Sequence, residues 1–301
     1  MINHKFVEKT YDFSKSLFPN RKESINQIIL KVFYLIMILA VLISGIYIGN
    51  HFISLKNEEK VIEEYRSIWK NENLQYKFRK ASAKNNDFKG WIKFENSSIN
   101  YPIFQTDDNS FYLNHSADKK KSENGSLLFD YRCKITPDST DKNLIIYGKN
   151  NNNFTAFGEL KKLRNIAYFR EHSSFEFSVN EKTDTYLIYS VFVLNAKKED
   201  DGGYIYNIYR NKFLNDTDFA NWISEAKERS LINTSTEVTQ EDNILTLVTD
   251  CDDFENARLV VMAKKAKQGS VYNPNEKTTA SANHQPLYPK KWYSERGINK
   301  E

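Results

Sequence analysis

Three kinds of apolar spacing follow one another along this chain of 301 residues. The first is an unbroken run. Val32 to Ile48 holds 17 residues without a charge. Asn50, His51 and Phe52 extend it toward the ~20 residues that cross a bilayer. A buried core helix fits this run poorly, because the run has no polar face and lies close to a terminus. The second kind is helical. In the charged stretch from Asn57 to about Lys80, the residues Val61, Ile62, Tyr65, Ile68 and Trp69 recur at helical spacing. The polar patch from Ala83 to Asp87 ends it.

The third kind is short and strand-like. Gly90 to Phe94 and Tyr101 to Gln105 begin it. Ser126–Phe129, Leu144–Tyr147, Phe175–Val179, Tyr186–Leu194, Ile244–Thr249 and Leu259–Ala263 continue it. These runs are β-branched or aromatic and are bounded by Asn, Asp, Gly or Ser, which predicts strands. Two helical patterns interrupt them. Phe154 to Leu163 carries Phe157, Leu160 and Leu163. Phe219 to Leu231 carries Phe219, Trp222, Ile223 and Ala226, with Asp216, Thr217 or Asp218 as its cap. Many strands with few helices predict a mostly β fold, a closed or nearly closed barrel with peripheral helices. A sandwich is the second choice.

These patterns divide the chain into an N-terminal segment (1–31), a transmembrane helix (32–50), a helical stalk or N-terminal helical region (51–82), a barrel domain (83–267) and an extended or mobile tail (268–301). Within the tail, Trp292 and Tyr293 either dock on the domain or do nothing. Lys5, Lys9, Lys15, Arg21, Lys22 and Lys31 outnumber Glu8, Asp12 and Glu23 before the span. That excess predicts a cytoplasmic N-terminus, with the main domain outside the membrane. A cleaved signal peptide fits less well, since no small-x-small site follows the span.

Composition changes this picture little. Hydrophobic residues make up 40% of the chain and aromatic residues 14%, enough for a core and far from a disordered composition. The net charge of +4 gives no reason to expect nucleic acid. Cys133 and Cys251 are the only cysteines, too few for a disulfide framework. Histidines and cysteines are scattered, so no metal or cofactor is expected. The acidic turn of Asp250, Asp252, Asp253 and Glu255 does not match a recognised calcium loop.

Candidate chemistry gathers at the end of the Ile244 run. Cys251 closes a strongly strand-like segment, and Arg258 opens the next. A hairpin can bring the two together. A thiol nucleophile needs a nearby base or cation that favours thiolate, and acyl transfer needs donors for the oxyanion.

The segment Thr246-Leu247-Val248-Thr249-Asp250-Cys251 resembles the Thr-Leu-x-Thr-Cys motif of sortases, membrane-anchored cysteine transpeptidases. Asn256 to Val261 resembles the strand that carries their arginine. Tyr101-Pro102-Ile103, Tyr112 to Ser116, Gly125 to Arg132, Phe157 to Lys162 and Phe169 to His172 resemble landmarks of the class B branch. The similarity spans roughly residues 55 to 265 and agrees with the single membrane span. It implies a sortase-like β-barrel at the cell surface. The implied partners are a sorting-signal peptide or similar extended peptide, a cell-wall amine as acceptor, and the membrane.

Two positions depart from the family pattern. Where the family has Tyr-Gly-His-Asn, this chain has Tyr147-Gly148-Lys149-Asn150. A lysine is ordinarily a poor acid for a leaving amine at neutral pH. Ungapped alignment also puts Asp250, not Cys251, at the nucleophile position. Strand side chains alternate faces, so Asp250 shares a face with Thr246 and Val248, while Cys251 points the other way unless a bulge intervenes. Two readings follow. In one, the domain is a degenerate sortase that keeps a peptide-binding or scaffold role, with Asp250, Arg258 and Lys149 forming an ion-pair network. In the other, it is an active transpeptidase using Cys251, Arg258 and Lys149.

Overall fold

A computed structural model describes residues 18–19, 23–153, 155–267 and 279–299. The chain divides into two compact units, residues 1–59 and 60–301. Helix α1, Ile25–Trp69, runs through that division. In the first unit its apolar side chains are exposed, from Ile29 and Phe33 through Leu42 to Ile53. The helix is long and apolar enough to cross a membrane, and no part of its most apolar window is buried by protein. An isolated segment that satisfies its own backbone and is apolar all round suits lipid. Lys5, Lys9, Lys15, Arg21 and Lys22, which the orientation expectation rests on, lie outside the described residues.

In the second unit the same helix becomes amphipathic. Tyr65 is buried, and Trp69 stacks on Trp91 with ring centroids 4.6 Å apart. The helical pattern expected to continue to Lys80 breaks after Trp69. A second helix, α2 (Leu74–Lys84), starts afresh, because the Asn73 side chain accepts the Tyr76 N–H at 2.8 Å and caps it.

Eight strands close into a barrel: β1 (Phe88–Lys93), β2 (Asn100–Phe104), β3 (Leu127–Phe129), β4 (Asn143–Tyr147), β5 (Ser174–Val179), β6 (Lys182–Asn195), β8 (Ile244–Asp250) and β9 (Ala257–Lys265). The order around the barrel is β1-β2-β3-β4-β8-β9-β6-β5, with β5 returning to β1. All pairs are antiparallel except β2/β3 and β4/β8. Ile92, Ile103, Phe129, Ile146, Phe177, Val191, Leu247 and Val261 fill its core. Every strand expected from the sequence is present.

The helices differ more. Among the described residues no α-helix covers 155–163. Ala156 takes a positive φ, and the chain winds only into a 3-10 turn at Leu160–Arg164 before helix α3 (Ile166–Glu171). Phe154 lies outside the described residues. Helix α4 spans Asp216–Arg229, and its cap is Asn215 rather than Asp216, Thr217 or Asp218. The Asn215 side chain accepts the Asp218 N–H at 2.9 Å.

The C-terminal tail also differs from the expected extended or mobile segment. Ser281–Ala282 (β10) pairs with Ile232–Asn233 (β7), and Lys290–Glu295 forms helix α5. Tyr288 and Trp292 pack on the main core, their rings stacked 3.8 Å apart. The intervening residues 268–278 lie outside the described residues.

Candidate active site

Parallel pairing of β4 with β8 sets Tyr147 beside Val248. Antiparallel pairing of β8 with β9 sets Asp250 opposite Arg258. The register is unbroken there, so the alternation of side chains carries from Val248 to Asp250 without a bulge. Arg258 Nη1 lies 3.0 Å from Asp250 Oδ1 and also donates to the Ala257 carbonyl at 2.9 Å. The pair is accessible: the Asp250 side chain is 58% exposed and that of Arg258 34%.

Beside this pair runs a groove of about 430 Å³. It is lined by Val248 of β8, Arg258 of β9, Leu194 and Asn195 at the end of β6, the segment Ile205–Tyr209, and Tyr147, Asn109 and Leu113. The tyrosine is fixed: Tyr147 Oη donates to Asp130 Oδ2 at 2.9 Å. Asp130 is fully buried and takes two further bonds from Arg132, at 2.8 and 2.6 Å. Burial pushes the Asp130 carboxyl up in pKa, but the Arg132 bonds outweigh it and the net direction is down. Arg132 in turn lies over the Tyr209 ring at 4.1 Å, linking Tyr209 to the Asp130–Tyr147 pair. Asn195, fully buried, accepts the Lys197 N–H through Oδ1, while its Nδ2 has no hydrogen-bond partner among the described residues.

Neither Asp250 nor Cys251 lines the groove, but Asp250 is paired with Arg258, which does, whereas Cys251 is turned into the protein. Cys251 is 9% exposed, and its thiol lies beside Asp253 and Arg164. Burial, reinforced by the Asp253 carboxylate, pushes the thiol up to about 12. Arg164 offsets this only in part, because Asp253 holds its guanidinium with two bonds, at 2.7 and 2.8 Å. At neutral pH such a thiol stays protonated.

Lys149 follows Gly148, where a side chain would strike Phe157 Cδ2 at 2.7 Å; only glycine lets β4 leave the barrel here. The Lys149 ammonium donates to the Glu123 carbonyl at 2.8 Å and to Asn114 Oδ1 at 3.5 Å. Among the described residues it forms no ion pair, so the expected three-member network reduces to Asp250 and Arg258. Neither cysteine is hydrogen-bonded to a histidine among the described residues. His115 meets the Phe111 carbonyl, and His172 meets those of Tyr168 and Asn96. Nor does any group of three His, Cys, Asp or Glu among the described residues offer a metal site.

The family model for the sortase domain matches residues 92–266. Sortase B of Listeria monocytogenes is 28% identical over 234 residues, covering 74% of this chain and 91% of that protein. A mutant form of Clostridium perfringens sortase B has a TM-score of 0.62 at 30% identity, covering 69% of this chain and 98% of the other. The chain belongs to the class B sortase family. The Staphylococcus aureus sortase B–substrate complex matches with a TM-score of 0.58 at 26% identity, covering 75% of this chain and 98% of that one.

For this class B sortase, several groove residues carried no local signal in the sequence. Asn195 ends β6, and Ile205–Tyr209 reach the site through the long connection that follows it. Arg164 and Asp253 are 89 residues apart, and only the closed barrel joins them.

Proposed function

We propose that this sortase B-like domain holds an extended peptide at the outer face of the membrane without cleaving it. The observation that carries this reading is the Asp250–Arg258 pair. A carboxylate, 3.0 Å from the guanidinium of the groove-lining Arg258, occupies the strand position opposite that arginine, where acyl transfer would need a thiolate. The sulfur of Cys251 is buried beside Asp253, whose charge disfavours ionisation. Lys149 is committed to a backbone carbonyl rather than to either cysteine.

Peptide binding needs less than catalysis does. The groove offers apolar surface from Val248, Leu194 and Ile205, and aromatic surface from Tyr147 and Tyr209. Polar anchoring comes from Arg258, which uses only Nη1 in the contacts with Asp250 and Ala257. Its remaining N–H donors suit backbone carbonyls of an extended chain. Helix α1 supplies the tether, with the N-terminus inside and the barrel outside.

The test uses the full chain in detergent with a quenched-fluorophore library of extended peptides. Binding is read by anisotropy, and cleavage by dequenching and mass spectrometry. The proposal expects saturable binding that weakens in Arg258→Ala, with no cleavage. Turnover that disappears in Cys251→Ala would instead establish the transpeptidase reading. An absence of binding across the library would also overturn the proposal.

A further inference from the structure

The family match ends at residue 266, yet this chain continues into an ordered segment that contacts the turn preceding the groove residues 205–209 and the β8–β9 turn. We propose that residues 279–299 form a strap that fixes the groove wall against the β8–β9 turn, with Lys291 as the positioning residue. The strap itself stands apart from the peptide-holding reading; only its effect on binding rests on that reading.

The segment's first half is anchored to the barrel's flank. Ala280 is buried, and its carbonyl takes two bonds from Arg170, at 2.9 and 2.8 Å. Ser281 and Ala282 pair with Asn233 and Ile232. Asn283 Nδ2 donates to the Ser230 carbonyl at 2.7 Å, and the Leu287 N–H donates to the Glu228 carbonyl at 2.9 Å. These bonds fix the path to Pro289, where α5 begins.

Its second half reaches two elements that border the site. The wall segment leaves β6 at Asn195 and passes through a short 3-10 turn, Lys198–Asp201. Gly202 and Gly203 follow, both at positive φ. The groove-lining residues Ile205–Tyr209 come next. Such a stretch has little regular hydrogen bonding of its own and needs support from outside. Lys291 supplies it. Its Nζ lies 3.0 Å from Asp200 Oδ2, and its backbone N–H donates to Asp201 Oδ1 at 3.2 Å. The same Nζ lies 3.9 Å from Glu255 in the β8–β9 turn.

Arg296 adds a bond to the Asp253 carbonyl at 3.5 Å, and Tyr288 lies beside the Arg164 guanidinium that holds Asp253. One side chain therefore sits between a carboxylate of the wall and a carboxylate of the turn that follows Cys251. The Lys291 side chain is 15% exposed, but Glu255 is 85% exposed, so the contact with the turn is solvent-screened and the firmer hold is on Asp200. The wall and the turn are thus held to one another through the strap as well as through the barrel.

The experiment compares the full chain with Lys291→Ala and Lys291→Arg, each in detergent. Two readouts need no ligand: amide exchange over residues 198–209 and 252–256, and site-resolved maleimide labelling of Cys251 against Cys133. In Lys291→Ala, exchange in both segments and labelling of Cys251 should rise about tenfold. Labelling of Cys133, buried where its sulfur accepts the Ile145 N–H, should not change, and Lys291→Arg should restore most of the protection. Peptide bound by the parent should leave Lys291→Ala faster. Unchanged exchange and labelling would overturn the strap. If exchange and labelling rise but neither protein binds peptide, the strap stands and the peptide-holding reading fails.

Discussion

Asp250 lies two residues beyond Val248 on β8, and the strand does not slip between them. Strand phase therefore puts a carboxylate, rather than a sulfur, opposite Arg258. Substitution tests this directly. Asp250→Cys should place a thiol in the accessible position, so that this variant reacts with iodoacetamide at neutral pH while Cys251 in the parent does not. Peptide mapping after labelling decides between them; equal labelling of Cys251 in the parent would contradict the account. Cys251 itself should become reactive only as pH rises toward 12, because burial and Asp253 hold its thiol protonated. The pattern Thr246 to Cys251 revealed this phase in the sequence. The partnership of Cys251 with Arg164 and Asp253 was hidden, since the arginine belongs to a 3-10 turn far away in the chain.

At the scale of elements, the barrel was legible because its strands are short apolar runs with turn residues between them. Phe88–Lys93, buried at all but two positions, is a clear case. Trp91 closes the barrel against Trp69 and donates its indole N–H to Asn100 Oδ1 at 2.8 Å. Trp91→Ala should cost about 3–5 kcal/mol in denaturant unfolding. The segment 154–163 was misread because its apolar spacing is helical while its backbone is not. Ala156 turns left-handed, and Gly158 packs against the Asn151 backbone so closely that no Cβ fits.

What stabilises that segment is Glu159, which accepts from Ser97 Oγ, from the Ser98 N–H and hydroxyl, and from Lys162. Burial pushes its pKa up, but these bonds dominate and lower it to about 2. A folded value below the unfolded one means stability that is present above about pH 4.5 and lost as pH falls toward 2. Glu159→Gln should flatten that acid limb in a pH series of thermal melts; an unchanged limb would contradict the assignment.

For the whole molecule, one helix does two jobs. Its first part is apolar all round, and its last turns seal the barrel through Tyr65 and Trp69. The protein should remain in the membrane pellet after a carbonate wash and leave it only with detergent; release by carbonate would count against the span. The sequence made this division visible through the uncharged run and the charged stretch behind it. It offered Trp292 and Tyr293 as residues that can dock, but not the strand pairing or the helix of the tail. Trp292 and Tyr288 pack on the core, yet they sit among Pro, Asn and Lys without periodicity, and only the three-dimensional surface explains their burial.

The account rests on a site that binds and does not transfer an acyl group. Intact-mass spectrometry of the full chain, incubated with the peptide library, tests it most directly. The account expects an unmodified protein mass and uncleaved peptides, alongside saturable binding. A mass increase equal to a peptide acyl group, mapped to Cys251 and absent from Cys251→Ala, would contradict it.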